Sequence, residues 1–312
     1  MPLCSNGLSE TRPFVSVIVP VYRDCVGLKR CLSALARQCY PRERFEVFVV
    51  DNEGNPAVRS ICASCGDAVH YLLETRPGSY AARNAALAKV RGEVLAFTDS
   101  DCTPDPHWID EAIAALVRNP RVGVVGGRVD VVARNPARPT ASEAYDCLFA
   151  FPQQRDITRN HKVVTANCIT TRAVMQKVGP FDQRVMSGGD VDWSRRAFEM
   201  GFELLYVPGA IVRHPARRSL AGQLKKLRRT TAGQSHLYRK NPGMWRAFST
   251  PAITTAFLPP LRTVVRTVSL SSSNYQPAVR LKAALVLLMR HYYKLGCVIY
   301  YKLSPGAAHP RQ

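Results

Sequence analysis

Between Val15 and Arg118 short apolar runs alternate with amphipathic helical stretches, and that alternation leaves few folds open to the chain. Val15 to Val19 reads as a buried strand stopped by Pro20, whose nitrogen has no hydrogen to give a ladder. A helix follows over 26–38, with Leu28, Cys31, Leu32 and Leu35 on one face. Phe45 to Val50 is a second strand that ends at Asp51-Asn52, and 57–64 is a short helix. Val69 to Leu72 makes a third strand, and Gly78-Ser79 opens an alanine-rich helix over 80–90. Val94 to Thr98 is a fourth strand that runs into Asp99-Ser100-Asp101, and a helix over 108–118 comes next. This order predicts an α/β fold: a doubly wound, mostly parallel sheet with helices on both faces and right-handed crossovers.

Further on the signals loosen. Residues 122–132 read as a strand pair or edge around Gly126-Gly127, and 133–159 as a loop with irregular helix that could face an acceptor. A strand over 163–169, a helix over 172–178, a turn at Gly179 to Asp182, a helix opened by Gly188-Gly189-Asp190 and a strand over 202–207 complete the reading. The organisation expected is a lead of residues 1–13, a catalytic domain of 14–219 and a basic helical tail of 220–312.

In such sheets ligands sit beyond the carboxyl ends of the strands. Pro20 to Asp24, Asp51-Asn52 and Asp99-Ser100-Asp101 all fall at those ends. Residues two apart on a strand share a face, so Asp99 and Asp101 can converge on one point. Two hard oxygen ligands suit a divalent cation, Mn²⁺ or Mg²⁺, although Asp and Ser also populate ordinary turns. The first turn lacks Gly-x-Gly-x-x-Gly and there is no phosphate-loop lysine, so a dinucleotide site is not expected.

Of the formal net charge of +20, nearly all lies after Glu203: residues 204–312 carry eighteen Lys or Arg and no Asp or Glu. An anionic partner is expected there, with phosphorylated substrate, anionic lipid and nucleic acid as the candidates. Few aromatics interleave with the cluster from Arg217 to Arg229, so nucleic acid is not the expected partner. The ten cysteines follow no disulfide spacing and suggest a reducing compartment; Cys62 and Cys65 stand without the second pair a zinc site needs. Met1 to Phe14 has no secretory pattern.

Five segments together resemble an inverting family 2 glycosyltransferase of the GT-A fold from about Pro13 to Arg218. They are Val17 to Tyr22, Val49 to Asn52, Ala82 to Ala86, Phe97 to Asp101, and Gly188 to Trp193 with Arg196. The resemblance implies a nucleotide-sugar donor whose base and ribose are lined by Pro20, Tyr22, Asp24 and Asp51. It places Arg83 near the diphosphate, Asp101 on the metal, and Asp99 on the metal, a metal-bound water or the ribose. Asp190 matches the family's general base, where Glu-Asp is usual but this chain has Gly189-Asp190. A helix-capping role for Asp190 is the alternative, and Asp192 is a rival base. His214 could be a further metal ligand or a phosphate contact, and Arg217 and Arg218 could clamp phosphates.

The tail carries a thin apolar stripe of Leu220, Leu224, Leu227 and Thr231 among Lys and Arg. Residues 281–303 are apolar but contain Lys282, Arg290, Lys294 and Lys302, and no stretch reaches the ~18 uninterrupted apolar residues of a spanning helix. Tyr292, Tyr293, Tyr300 and Tyr301 beside lysines suit a membrane interface. Peripheral binding to the cytoplasmic face of the cell membrane is the expectation, with a helix packed on the core as the alternative. The function expected is metal-dependent inverting transfer of a sugar to a hydroxyl of a lipid-linked or surface-glycan acceptor. Its rivals are a non-catalytic nucleotide-sugar or anionic-surface binder and a sugar-phosphate nucleotidylyltransferase. The latter needs a glycine-rich turn that Pro20 to Asp24 does not offer.

Overall fold

The computed structural model describes residues 8, 12–241, 248–269 and 275–304, so Cys4 and most of the 1–13 lead lie outside the described residues. The chain packs as two compact units that do not follow chain order. The first takes in the chain up to Asp130 with Phe151–Arg184 and Gly189–His214; the second comprises Val131–Ala150, Val185–Gly188 and the chain from Pro215.

In the first unit β1 (Val15–Val21), β2 (Phe45–Asp51), β3 (Val69–Leu73) and β4 (Val94–Phe97) run parallel, in the order β3-β2-β1-β4. Between them lie α1 (Cys25–Leu35), α2 (Pro56–Ala63) and α3 (Ser79–Leu87). β1 and β2 are buried along their whole lengths, which is why both read as near-continuous apolar runs. Each holds a polar residue near its start, and the two meet: Ser16 donates to Glu46 at 2.6 Å. Burial works against the charge of Glu46. The Ser16 hydroxyl and the backbone and side-chain N–H groups of Arg91 nevertheless hold its carboxyl below the usual range.

The remaining strands make the sheet mixed. β5 (Thr103–Pro104), α4 (Trp108–Arg118) and β6 (Val122–Val132) follow β4. α5 (Ala141–Phe149) belongs to the second unit; α6 (Gln153–Asn160), β7 (Cys168–Thr171), α7 (Arg172–Val178) and α8 (Gly189–Glu199) belong to the first. β8 (Glu203–Pro215) ends the sheet sequence, and the full order is β3-β2-β1-β4-β7-β6-β8-β5. β7 is antiparallel to β4 and to β6, and β5 is antiparallel to β8. The GT-A-type sheet is therefore the one expected, parallel on one side and mixed on the other.

The helices expected over 26–38 and 80–90 end earlier, at Leu35 and Leu87, and three strands differ more from the sequence reading. Residues 122–132 form one strand, not a pair. The strand expected over 163–169 begins only at Cys168, after a 3-10 turn at Thr165–Asn167. Its first amides are taken elsewhere: Val163 N donates to the Ser194 hydroxyl at 3.1 Å and Val164 N to Gln153 Oε1 at 2.8 Å, so neither is left for a ladder. β8 runs well past 207, because Thr103 and Pro104 pair with Arg213 and Val212.

Asn167 locks this mixed region. Its amide accepts from the buried Trp108 indole N–H at 2.8 Å and donates to the carbonyls of Arg128 and Ala210, each at 2.9 Å. Gly127 lies against this knot, and an added β-carbon would collide with the Ala210 carbonyl oxygen and the Asn167 amide. Gly127→Ala is accordingly expected to cost about 3 kcal/mol. In a thermal melt that lowers the midpoint by ~6–12 °C for a protein of this size.

In the second unit α5 opens with a reciprocal capping box between Thr140 and Glu143. α9 (Leu220–Lys240) and α5 both pack on α12 (Pro277–Leu303), as do the shorter α10 (Thr250–Thr255) and α11 (Leu261–Ser269). The tail stripe faces inward in part: Leu227 and Thr231 are buried, Leu220 and Leu224 half-buried. Among the described residues no helix is long and apolar enough to cross a membrane.

Candidate active site

The carboxyl ends of β1, β2 and β4 bring the acidic clusters to one edge of the sheet, Val21 lying opposite Asp51 and Ile18 opposite Phe97. Asp51 is buried, and its carboxylate accepts from Glu53 N at 3.0 Å, Asn55 N at 2.6 Å and the Tyr71 hydroxyl at 3.2 Å. Of roughly four acceptor positions on a carboxylate, one remains. Asn52 latches the loop ahead of α3, donating to the carbonyls of Glu74 and Arg76 and accepting from Gly78 N at 2.7 Å. Asp24 caps α1 by accepting from Gly27 N at 2.8 Å. Between it and the half-buried Tyr22, Arg23 takes a left-handed φ of 54° and pairs with Glu53 at 2.6 Å.

At the tip of β4, Asp99, Asp101, Cys102 and His214 each offer a ligand atom, all within 4.8 Å of one another. The β5–β8 ladder explains the meeting. Thr103 pairs with Arg213 in antiparallel register, and one step along that register sets Cys102 opposite His214. His214 is buried on the face shared with Val212 and Ala210, with Nε2 at 3.6 Å from Asp101 Oδ2. Burial, then the charges of Asp99 and Asp101, push the Cys102 thiol well above its usual range. Two carboxylates and an imidazole suit Mn²⁺, a borderline ion, better than the harder Mg²⁺.

A continuous chain of contacts leads from this group to Asp190. Arg83 is buried and its Nη2 donates to Asp99 Oδ1, while its Nε finds no hydrogen-bond partner among the described residues. Its guanidinium lies 5.7 Å from the ring centre of Tyr80, whose hydroxyl donates to Asp190 Oδ1 at 2.8 Å. The other Asp190 oxygen accepts from Thr165 N at 3.2 Å. Asp192 is placed differently. It is buried, pairs with Arg196 at 3.1 Å, and Arg196 in turn donates to the carbonyls of Val178 and Pro180, so this carboxylate supports the turn below α8.

Arg217 and Arg218 lie in the second unit. Arg217 binds Asp146 through its backbone N–H at 2.9 Å and its guanidinium at 3.4 Å. Arg218 lines a pocket of about 360 Å³ with Arg134, Arg138 and Glu143, whose carboxylate is spent on the backbone amides of Arg134 and Thr140.

Residues 16–179, more than half of the chain, match the model of glycosyl transferase family 2. The chain belongs to glycosyl transferase family 2. This family 2 glycosyltransferase is 35% identical over 235 residues to the glycosyltransferase AglE of Haloferax volcanii, spanning 74% of this chain and 76% of that protein. It is 29% identical over 213 residues to the pre-mycofactocin glycosyltransferase of Mycobacterium tuberculosis, covering 66% of this chain but only 43% of the relative. Among solved structures its fold is similar to the Pyrobaculum calidifontis mannosyltransferase PcManGT in complex with GDP-Man and Mn²⁺, with a TM-score of 0.61 over 97% of this chain and 90% of that one at 22% identity. It is also similar to residues 1–349 of Staphylococcus aureus TarS, with a TM-score of 0.53 over 93% and 92% of the two chains at 16% identity.

Sequence reasoning placed Asn52 at the site's edge without a role and overlooked Tyr80 and Cys102 in this glycosyltransferase. Tyr80 stands three residues before Arg83 on α3, a spacing that puts both on one face, and that was the one available signal.

Proposed function

We propose that this glycosyltransferase moves a sugar, with inversion, from a nucleotide-sugar donor to a hydroxyl of a lipid-linked or surface-glycan acceptor at the cytoplasmic face of the cell membrane. The observation that carries the reading is the chain of contacts from Asp99 through Arg83 and Tyr80 to Asp190, which joins a cation-binding group to a carboxylate. Asp101 and His214, with Asp99, would hold Mn²⁺ or Mg²⁺, which when bound offsets negative charge on the leaving diphosphate.

Asp190 takes the proton from the acceptor hydroxyl as that oxygen attacks the anomeric carbon. The bond from that carbon to the diphosphate oxygen breaks on the opposite side, and the nucleoside diphosphate leaves with the electron pair. Pro20, Tyr22, Asp24 and Asp51 line base and ribose; the remaining acceptor position of Asp51 suits an imide N–H or a ribose hydroxyl. Arg83, whose buried Nε lacks a partner, serves the diphosphate, and Arg217 and Arg218 serve phosphate groups. The test is hydrolysis of a panel of nucleotide sugars, GDP-mannose first, with and without Mn²⁺. Turnover of no member under either condition would refute the reading.

The composition of the second unit supports membrane-surface binding. Its segments hold nineteen Lys or Arg against two acidic residues, and both acids, Glu143 and Asp146, are buried. Leu281, Leu285, Met289 and Tyr292 form an exposed apolar stripe at helical spacing along α12, and Leu261 and Val265 are exposed on α11 beside Arg262 and Arg266. Vesicles with anionic lipid are expected to sediment the protein at low salt. Each Lys or Arg near the surface contributes about 1 kcal/mol, a contribution screened as salt rises. Leu285→Glu with Met289→Glu should release it, and equal binding to neutral vesicles would count against the role of charge.

A further inference from the structure

We propose that Tyr80 is a positioning residue for Asp190, and that position 189 is glycine because the Tyr80 ring occupies the space a side chain there would need. The proposal rests on the reading of Asp190 as the general base. Glycine at the place where the resemblance leads one to expect glutamate then has a physical cause: the Tyr80 ring of α3 fills the space beside it.

The geometry is specific. The Tyr80 ring is buried and held from behind by Phe181 at 5.7 Å between centroids, and Phe181 is itself wedged against Phe97 at 5.4 Å and Trp193 at 5.5 Å. A β-carbon built on Gly189 would sit 3.0 Å from two atoms of the Tyr80 ring, so any larger residue must displace the ring. With Gly189 in place the ring reaches far enough for its hydroxyl to donate to Asp190 Oδ1 at 2.8 Å, while Thr165 N holds Oδ2 from the other side at 3.2 Å. Val191 N also donates to Oδ1, at 3.0 Å, so donors on both oxygens fix the plane of the carboxylate and the acceptor position left for an incoming hydroxyl is on Oδ2.

Among the described residues, few charged and titratable groups lie around Asp190. α3 contributes Tyr80 and Arg83, and β7 contributes Cys168. Asp192, on the same helix as Asp190, is turned to Arg196. Burial first, and then the charge of Asp190, push both the Tyr80 hydroxyl and the Cys168 thiol far above their usual ranges. Tyr80 therefore stays protonated and donates throughout the working range of pH, and neither group titrates beside the carboxylate near neutrality.

The test uses the full chain with Mn²⁺ and the nucleotide sugar hydrolysed fastest in the donor panel. Tyr80→Phe keeps the ring, so its melting temperature should fall by only the ~2–4 °C that one lost hydrogen bond costs. Its kcat should fall about tenfold with the donor KM unchanged, and the acid limb of its pH–rate profile should move to higher pH, since the charged carboxylate has lost a donor. Gly189→Glu alone should also lower turnover by pushing the ring aside. Combined with Tyr80→Ala, Gly189→Glu should restore activity relative to Tyr80→Ala alone, the signature of two positions that share one space. A Tyr80→Phe enzyme with the parent's kcat and pH profile, beside an inactive Asp190→Asn enzyme, overturns the role of Tyr80 and leaves the base in place. An active Asp190→Asn enzyme removes the base assignment itself, and the role of Tyr80 with it. Additive losses in the double variant overturn the account of Gly189.

Discussion

Asp101→Ala is expected to lower sugar-nucleotide turnover by on the order of 10²–10³ or more, and to weaken Mn²⁺ binding in a metal titration of the same protein. The neighbouring groups cannot compensate. Asp99 is held by Arg83, the Cys102 thiol is buried and kept protonated, and His214 is fixed in β8. The folded chain should tolerate the change, because the Asp101 side chain is 37% exposed and lies at a strand tip outside the core. Parental turnover and parental Mn²⁺ affinity in this variant would end the cation assignment.

Asp190→Asn is expected to lower kcat by ~10²–10⁴, the range a positioned general base supplies, with donor affinity retained in equilibrium binding of the nucleotide sugar. The amide can keep one oxygen toward the Tyr80 hydroxyl, but its NH₂ group then faces the Thr165 N–H, donor against donor. A modest loss of stability, about 1 kcal/mol, should accompany the catalytic loss, and a melt separates the two. If Asp192→Asn instead abolished turnover in a fully folded protein, the base would have to be sought there. The Asp192–Arg196 pair argues for lost stability in that variant.

The parallel half of this sheet is legible in the sequence because its physics is local. Val15 to Val19 and Phe45 to Val50 are apolar on both faces, and helical periodicity between them marks α1 and α2. α4 and α7 fall on the residues expected, 108–118 and 172–178. The mixed half is not legible, because side chains distant in sequence decide it: Gln153 and Ser194 claim the amides of Val164 and Val163 and shorten β7. α5 could have been found inside the supposed loop, since Thr140-Ala141-Ser142-Glu143 is a capping-box pattern.

The site shows the same division. Asp99 and Asp101 are legible as an acidic pair and Asp190 from motif order, but the two acids meet in a turn beyond β4, where Cys102 N donates to the Asp99 carbonyl at 3.0 Å, and not through the strand periodicity expected of them. Tyr80 carries no polar pattern of its own, and only the packing of α3 against the start of α8 gives its hydroxyl a partner. Cys102 escapes for a related reason: only the two-residue pairing of β5 with β8 sets it opposite His214.

That two-residue ladder also bears on how the molecule is made. Asp99 and Asp101 leave the ribosome long before His214, which arrives on the last strand of the first unit. A nascent chain ending short of β8 would already carry both acids but would lack the imidazole, and its affinity for a cation would be correspondingly weak. Synthesis of β8 thus finishes the sheet and brings in the last of the residues proposed to hold the cation in one step, before α9 to α12 have been made.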